Sequence, residues 1–410
     1  MSAAILLPSC VLGLCAALLL AERLVVGWAR GRFKVVVHVN GTRGKSTLTR
    51  MTHAMLRAAG YTVYGKTTGT EPRLLSPDGA ERVIRRLGPA NVREQRNYAV
   101  LAALRGADAL VFECNAVLPE LQKVSALYLG ADLLVITNAR ADHRLEQGTA
   151  REAALAFAAT IPPGGAVATA DPEFSDLWAA EAEARRAGFF YRAPAEGVGL
   201  SDIPENAACL LASADALGLP PAAALEALRS YTADPGEFRL VRWLDERGGS
   251  FWFADALAAN DPASTSRLVD MALKRADLEG VAWGRRVLVV VNRPDRPDRC
   301  LQFAEYAAAE CGPGRRFDTA LFLGPLPRYA RAALDSASAP YARLPDPESL
   351  FGALPPAGGV DGSPGPEACL IVGVGNRVGL GTRLRACVDS REPLTVLPET
   401  RAITGAHNES

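Results

Sequence analysis

The run Val35-Val-Val-His-Val-Asn-Gly-Thr-Arg-Gly-Lys-Ser-Thr47 sets a lysine and two hydroxyls behind a glycine-containing turn, which itself follows a β-branched stretch. A turn of this kind between a strand and a helix aims backbone N–H groups and a helix N-terminus at phosphate oxygens. Lys45 would add a cation near the β- and γ-phosphates, and the Ser46 hydroxyl would sit on Mg²⁺. Asn40, Gly41, Thr42, Arg43, Gly44, Lys45, Ser46 and Thr47 are therefore assigned to the nucleotide. The full phosphate-loop pattern has a glycine five residues before Gly44, where this chain has Val39. The apolar strand before the turn and the helix-compatible segment after it, Thr47 to Ala59, supply the context the motif requires.

Two further polar groups close apolar runs. Glu113 ends Ala109-Leu-Val-Phe-Glu, and Thr137-Asn-Ala-Arg-Ala-Asp-His143 follows Leu133-Leu-Val-Ile. In parallel α/β sheets, ligands bind beyond the carboxyl ends of strands. Ser46, Glu113 and His143 are thus the expected metal ligands beside the phosphate loop.

The elements that must position these groups alternate. Strands are expected at 35–39, 61–64, 109–113, 132–138 and 165–169, with helices at 47–59, 91–104 and 150–160. Lys66-Thr-Thr-Gly-Thr-Glu-Pro-Arg73 reads as a polar loop. Between 171 and 234 lie an acidic-alanine helix, a short Phe-Phe-Tyr strand and an Ala/Leu helical stretch. Strands resume at 251–255, 286–292, 319–324 and 368–373. Apolar strands alternating with helices imply a mostly parallel sheet covered on both faces. The expected organisation is an anchor over 1–27, an ATP-binding domain over 33–234, a hinge at Asp234-Pro-Gly236, a smaller Rossmann-like α/β domain over 238–390, and a disordered tail over 391–410. Residues 353–367 read as a Pro/Gly-rich surface loop.

The 410 residues carry 45 basic and 45 acidic side chains, so the basic surplus of a nucleic-acid binder is missing. Eight cysteines without a C-x-x-C pair and four histidines leave no zinc or disulfide framework. Cys114, Cys209, Cys300 and Cys369 sit in or beside apolar runs and read as buried thiols in a reducing compartment. Ala3 to Ala21 is free of charge; about 19 helical residues nearly cross a hydrocarbon core of roughly 30 Å. Arg23, Arg30, Arg32 and Lys34 follow, which places the chain as a single-pass protein of the cell membrane with its catalytic domains in the cytoplasm. A cleaved signal peptide would have a basic leading segment, absent here, and a small-x-small cleavage site, poorly placed here.

In combination, Gly41-Thr-Arg-Gly-Lys-Ser, the strand-end Glu113 and Thr137-Asn138 to Asp142-His143 resemble the ATP-dependent Mur ligase superfamily. Within it the chain is similar to the catalytic subunits of capsule-type poly-γ-glutamate synthases. The similarity runs through His38-Val-Asn-Gly, Lys66-Thr-Thr-Gly, Gly88 to Gln95, Glu113-Cys to Glu120, Asn260-Asp-Pro-Ala-Ser-Thr, Asn292 to Arg299 and Gly373-Val-Gly-Asn-Arg. The resemblance implies a P-loop, Mur-ligase-like central domain, with ATP and Mg²⁺ as cofactors. It also implies that Asp255 and Asn260 approach the nucleotide or acyl phosphate, and that Arg293 and Arg296 are candidates for a substrate carboxylate. Two departures are evident. No lysine lies between Lys123 and Lys274, so the carbamylated lysine of many Mur-type ligases is absent or replaced; and the Pro-Gly-Arg hinge reads Pro235-Gly-Glu237.

The activity implied is ATP-dependent joining of glutamate through γ-carboxyl linkages by way of an acyl phosphate, with closure about the hinge excluding water. Glutamate and the growing poly-γ-glutamate chain would be the substrates, and small integral-membrane subunits the partners, with no role for nucleic acid. Two alternatives stay open from sequence: another Mur- or folylpolyglutamate-like amino-acid ligase, and a membrane-tethered ATPase subunit without ligase activity.

Overall fold

The computed structural model describes residues 3–69, 71–86, 88, 90–140, 148–197, 203–232, 238–244, 249–259, 261–278, 280–354, 368–391 and 393–396. The chain divides into two compact units, Met1–Asp234 and Pro235–Ser410. The expected hinge at 234–236 and most of the Pro/Gly-rich loop lie outside the described residues.

The first unit runs α1 (Ala3–Arg30), β1 (Val35–Asn40), α2 (Lys45–Ala58), β2 (Val63–Lys66), β3 (Arg73–Leu75), β4 (Glu81–Val83), α3 (Arg93–Leu104), β5 (Ala109–Glu113), α4 (Pro119–Leu129) and β6 (Leu133–Ile136). It continues through α5 (Ala150–Ala158), β7 (Ala166–Thr169), α6 (Ser175–Ala184), β8 (Gly188–Tyr191), α7 (Pro204–Ala216) and α8 (Pro221–Ser230). Among the described residues its sheet has eight strands in the order β4-β3-β2-β5-β1-β6-β7-β8. From β2 to β8 all neighbours are parallel; β3 and β4 add an antiparallel edge.

The apolar run of β1 is explained by burial on both faces. Val37 and Val39 pack with Leu48, Met51 and Met55 of α2, while Val36 packs with Ala99, Leu110 and Leu129 on the opposite face. Successive side chains of a strand point to opposite faces, so a strand covered twice is largely apolar, and a buried exception, His38, meets Ser125 at 3.3 Å. The helix beginning at Ala150 starts where its sequence says it should: Thr149 accepts from the Glu152 N–H, and Glu152 caps the Thr149 N–H in return.

The second unit contains β9 (Arg239–Leu244), β10 (Ser250–Asp255), α9 (Pro262–Leu278), β11 (Trp283–Val291), α10 (Pro297–Glu310), β12 (Thr319–Leu323), α11 (Arg328–Ser336), β13 (Tyr341–Leu344), α12 (Leu350–Ala353), β14 (Ala368–Val374), α13 (Leu380–Asp389) and β15 (Pro393–Val396). Its described strands are ordered β13-β12-β11-β14-β10-β9-β15, parallel from β13 to β10 and antiparallel across β9 and β15. Phe303, Phe322 and Trp252 fill one face of this sheet; Phe253, Ile371 and Leu384 fill the other.

Several elements depart from expectation. The polar loop after the second strand starts one residue later than its lysine, because Lys66 is the last residue of β2 and is buried. The chain then forms the β3–β4 hairpin. In the second unit, β9 and β13 are short, arginine-containing strands that were not expected. Residues 393–396, inside the stretch expected to lack order, pair with β9.

Candidate active site

The strand β1 delivers its carboxyl end between β5 and β6, with Val39 level with Glu113 and Asn40 level with Ile136. The loop at that point is fixed from several sides. Asn40 Oδ1 accepts from the Gly41 N–H at 2.8 Å, and Asn40 Nδ2 donates to Gln122 at 3.1 Å. The Thr42 N–H donates to the Asn138 carbonyl at 2.9 Å. Asn138 also grips Arg43 by its main chain: its Oδ1 accepts from the Arg43 N–H and its Nδ2 donates to the Arg43 carbonyl, both at 3.1 Å.

Two glycines make this loop possible. Gly41 has φ 127°, and a Cβ there would fall on the Thr137 hydroxyl. Gly44 has φ 84° and forms the N-cap of α2, so the helix opens toward the loop with no capping side chain. Lys45 Nζ donates to the carbonyls of Gly41 (2.6 Å) and Thr42 (3.0 Å), folding over the turn.

Ser46, in the first turn of α2, points across to β5. Its Oγ donates to Glu113 Oε2 at 2.9 Å, and the Thr68 N–H donates to the same oxygen at 2.7 Å. Glu113 is only 3 % exposed. A Cβ at Gly69 would stand 2.9 Å from Ser46 Oγ, so the backbone after β2 borders the same mouth. Behind it lies a buried polar layer. Gln95 donates to the Glu113 carbonyl at 2.7 Å and to Ser125 Oγ at 3.3 Å, and Ser125 in turn lies 3.3 Å from His38 Nε2. Burial lowers the His38 pKa to about 4, so this imidazole is neutral at neutral pH.

Lys66, expected in a polar loop and part of the Lys66-Thr-Thr-Gly motif, ends β2 instead. It is fully buried, with Nζ 3.3 Å from Glu94 Oε2, and Glu94 also accepts from Arg86 at 2.7 and 2.8 Å. Burial lowers the Lys66 pKa, opposed by the Glu94 charge. A group not singled out is Asp171, just after β7, whose carboxylate accepts from the Ala139 N–H at 3.0 Å and steadies the loop after β6. Its signal was an Asp-Pro directly after an apolar strand.

His143 and Asn260 lie outside the described residues. The remaining assigned residues belong to the second unit. Asp255, at the end of β10, is buried against Arg385 (2.9 Å) and Arg239 (3.5 Å), and burial raises its pKa. Arg293, just beyond β11, forms a forked pair with Asp295 at 2.9 and 2.7 Å, whereas Arg296 stands 3.9 Å from Asp295 and is largely exposed. Nearby, Arg299 of α10 donates to Asn376 at 3.0 Å, and Asn376 donates to the Val291 carbonyl at 2.8 Å, tying the turn after β14 to the end of β11.

A glycine-bearing strand-to-helix loop on a mostly parallel sheet, a strand-end carboxylate bonded to the loop serine, and a second α/β unit together define a Mur-ligase-like chain. In fold it is similar to MurF from Acinetobacter baumannii (TM-score 0.62, 14 % identity, 90 % of this chain and 80 % of that one). It is also similar to E. coli FolC in complex with ADP (TM-score 0.58, 16 % identity, 89 % and 93 %). A third likeness is to the folylpolyglutamate synthase/dihydrofolate synthase of Yersinia pestis complexed with AMPPNP and Mn ion (TM-score 0.57, 15 % identity, 88 % and 92 %). Residues 241–391 match the family described as poly-gamma-glutamate synthase CapB C-terminal domain. The chain is 34 % identical to the PGA synthase CapB of Bacillus subtilis (strain 168) over 284 residues, 66 % of this chain and 70 % of that protein. It is 36 % identical to the capsule biosynthesis protein CapB of Bacillus anthracis over 279 residues, 65 % of this chain but 59 % of that protein's length. The chain belongs to the CapB family of poly-gamma-glutamate synthases.

Proposed function

We propose that this chain binds ATP with Mg²⁺ at residues 40–47 and ligates glutamate into poly-γ-glutamate through an acyl phosphate. The observation that carries the reading is the Ser46–Glu113 pair at the phosphate loop. A hydroxyl and a buried carboxylate are hard oxygen donors, the set Mg²⁺ takes alongside waters and nucleotide phosphates. Among the described residues no cluster of three or more His, Cys, Asp and Glu side chains exists, so Ser46 and Glu113 are the groups assigned to the ion. When bound, the ion would neutralise phosphate charge.

The chain's own part is positioning. Loop N–H groups and the α2 N-terminus would hold the triphosphate, and Lys45 would leave its two carbonyl partners for the phosphates. The γ-phosphoryl group moves from ATP to a substrate γ-carboxylate, releasing ADP. The α-amine of a glutamate then attacks the acyl carbon, loses a proton, and expels phosphate as the amide forms. Oxide is a poor leaving group and phosphate a good one, which is what the ATP supplies. Arg296, and Arg293 once parted from Asp295, are assigned to a substrate carboxylate, since a planar fork suits that group. The roles of Asp255, Asn260 and His143 rest on the family motif.

The apolar α1 is long enough to cross a bilayer, and the reading makes it a single membrane anchor with both units on the cytoplasmic side. One helix forms no channel, so export of a polymer would fall to separate integral-membrane subunits. The test is incubation of the membrane-bound chain with ATP, Mg²⁺ and each glutamate enantiomer, with hydroxylamine present to capture an acyl hydroxamate. Glutamate-dependent hydrolysis with hydroxamate and sized polymer is expected. Hydrolysis that ignores every amino acid offered would overturn the reading.

A further inference from the structure

Among the side chains described, those that hold α1 to the first unit lie in its last third. Near its end, Arg30 Nε donates to the Gly130 carbonyl at 2.6 Å and its guanidinium pairs with Asp132, whose other oxygen accepts from the Val36 N–H at 2.8 Å. Two turns earlier, Glu22 accepts from Arg96 at 2.6 Å and from the Tyr128 hydroxyl at 3.2 Å. Ala29 and Phe33 join Ala99, Leu110 and Leu129 in the core.

These contacts fix the direction of the helix against the sheet. Arg30 is level with Val36, at the amino end of β1. Glu22 meets Arg96, in the first turn of α3, beside the Gln95 that bonds the carbonyl of Glu113 at the carboxyl end of β5. Eight helical residues rise about 12 Å, and the strand from Val35 to Val39 spans about 13 Å. So α1 runs antiparallel to β1 and leaves the unit past the edge where Ser46 and Glu113 sit. Beyond Glu22, the charge-free residues 3–21 extend about 28 Å farther, and every residue from Val11 to Ala21 is exposed. Arg23 and Arg93, both exposed, stand where the helix departs.

We propose that the carboxyl-end rim of the first unit, which carries the phosphate loop, faces the lipid bilayer, with Arg23 and Arg93 toward its headgroups. This rests on α1 being a membrane-spanning anchor. The nucleotide mouth then lies within about one sheet depth of the membrane surface, and a product chain starts at the membrane rather than in the bulk. The amino-end edge, at Arg105 and Asp108, faces away.

The helix α3 provides a ruler, because its two ends lie at the two levels. In a full-length chain with Cys10, Cys15 and Cys387 changed to serine, a fluorophore is attached at Arg93→Cys or at Arg105→Cys. The protein is reconstituted into phosphatidylcholine–phosphatidylglycerol vesicles carrying headgroup nitroxide lipid. Quenching several-fold stronger at position 93 than at 105 is expected. Equal quenching, or stronger quenching at 105, in protein that floats with the vesicles overturns the orientation while leaving the anchor intact. Protein that fails to float overturns the anchor, and the orientation with it. Asn91→Cys and Leu104→Cys give a second pair at the same two levels should either arginine variant fold poorly.

Discussion

Ser46 and Glu113 are 67 residues apart in sequence and 2.9 Å apart in space, joined because parallel pairing brings the ends of β1 and β5 to one level. The carboxylate is buried and already accepts two hydrogen bonds, so its position is set before any ligand arrives. A donor pair held this way needs no rearrangement to receive a hard cation.

If the pair holds the ion, changing either member separates metal use from fold. Glu113→Gln keeps the shape and the Thr68 contact but removes the negative charge. Turnover is expected to fall on the order of 100-fold or more, with a raised Mg²⁺ requirement. Ser46→Ala should act in the same direction and less severely. Steady-state ATPase assays across a Mg²⁺ series check both, and unchanged Mg²⁺ dependence in Glu113→Gln would remove the metal assignment.

Lys45→Ala should abolish turnover while leaving the fold in place. Its ammonium donates to the carbonyls of Gly41 and Thr42, main-chain acceptors that the substitution leaves in place. An unfolding midpoint within a few degrees of the parent is expected. Residual activity above a few per cent of the parent would argue against the loop as the phosphate site.

The loop glycines differ in how much each tolerates. Gly41→Ala puts a Cβ on the Thr137 hydroxyl at φ 127°, and Gly44→Ala places one 2.9 Å from Asn206 Oδ1 at φ 84°. Both are strained by roughly 1–3 kcal/mol. Gly41→Ala should be the worse, because the Thr137 hydroxyl is buried and the loop cannot shift without breaking the Asn138 contacts. Denaturant unfolding and nucleotide-analogue binding measured on the two variants rank them.

The strands and loop that carry the site were legible because burial on both faces favours apolar runs, as in Val35–Val37 and Ala109–Phe112. The strands β3, β4 and β13 were not, although the edge strand β8 was expected from Phe189-Phe-Tyr191. Arg73-Leu-Leu, Glu81-Arg-Val and Tyr341-Ala-Arg-Leu are only three or four residues long and each carries an arginine, so their pattern is too short to distinguish them from loops. Helix α4 had a usable signal, Pro119 at its first position followed by Glu120, that went unread. The burial of Lys66 had none, since its partner Glu94 lies on a helix that reaches it only through the tertiary fold.

That buried lysine gives an asymmetric prediction. Glu94→Gln leaves the Lys66 ammonium without its counter-charge and should cost about 3–5 kcal/mol. Lys66→Met leaves Glu94 still paired with Arg86 and should cost clearly less. The double variant is expected to recover much of the Glu94→Gln loss. Chemical denaturation of the three proteins gives the comparison, and equal losses in the two single variants would refute a buried ion pair.

Acid should weaken the first unit through two histidines. Burial lowers the pKa of both His38 and His53 from the ordinary 6.5 to about 4. Between those values the unfolded chain binds protons that the folded chain does not, so stability is complete above about pH 6.5 and declines as pH falls toward 4. Each imidazole would withdraw on the order of 3 kcal/mol by the lower limit. Replacing His53, whose ring lies 3.2 Å from the Val63 carbonyl, by Gln should keep a polar partner there and flatten the pH dependence over that window. Urea unfolding at intervals from pH 7 to pH 4 reads the slope directly, and a His53→Gln slope matching the parent would mean that the ring is already charged or solvated in the folded protein.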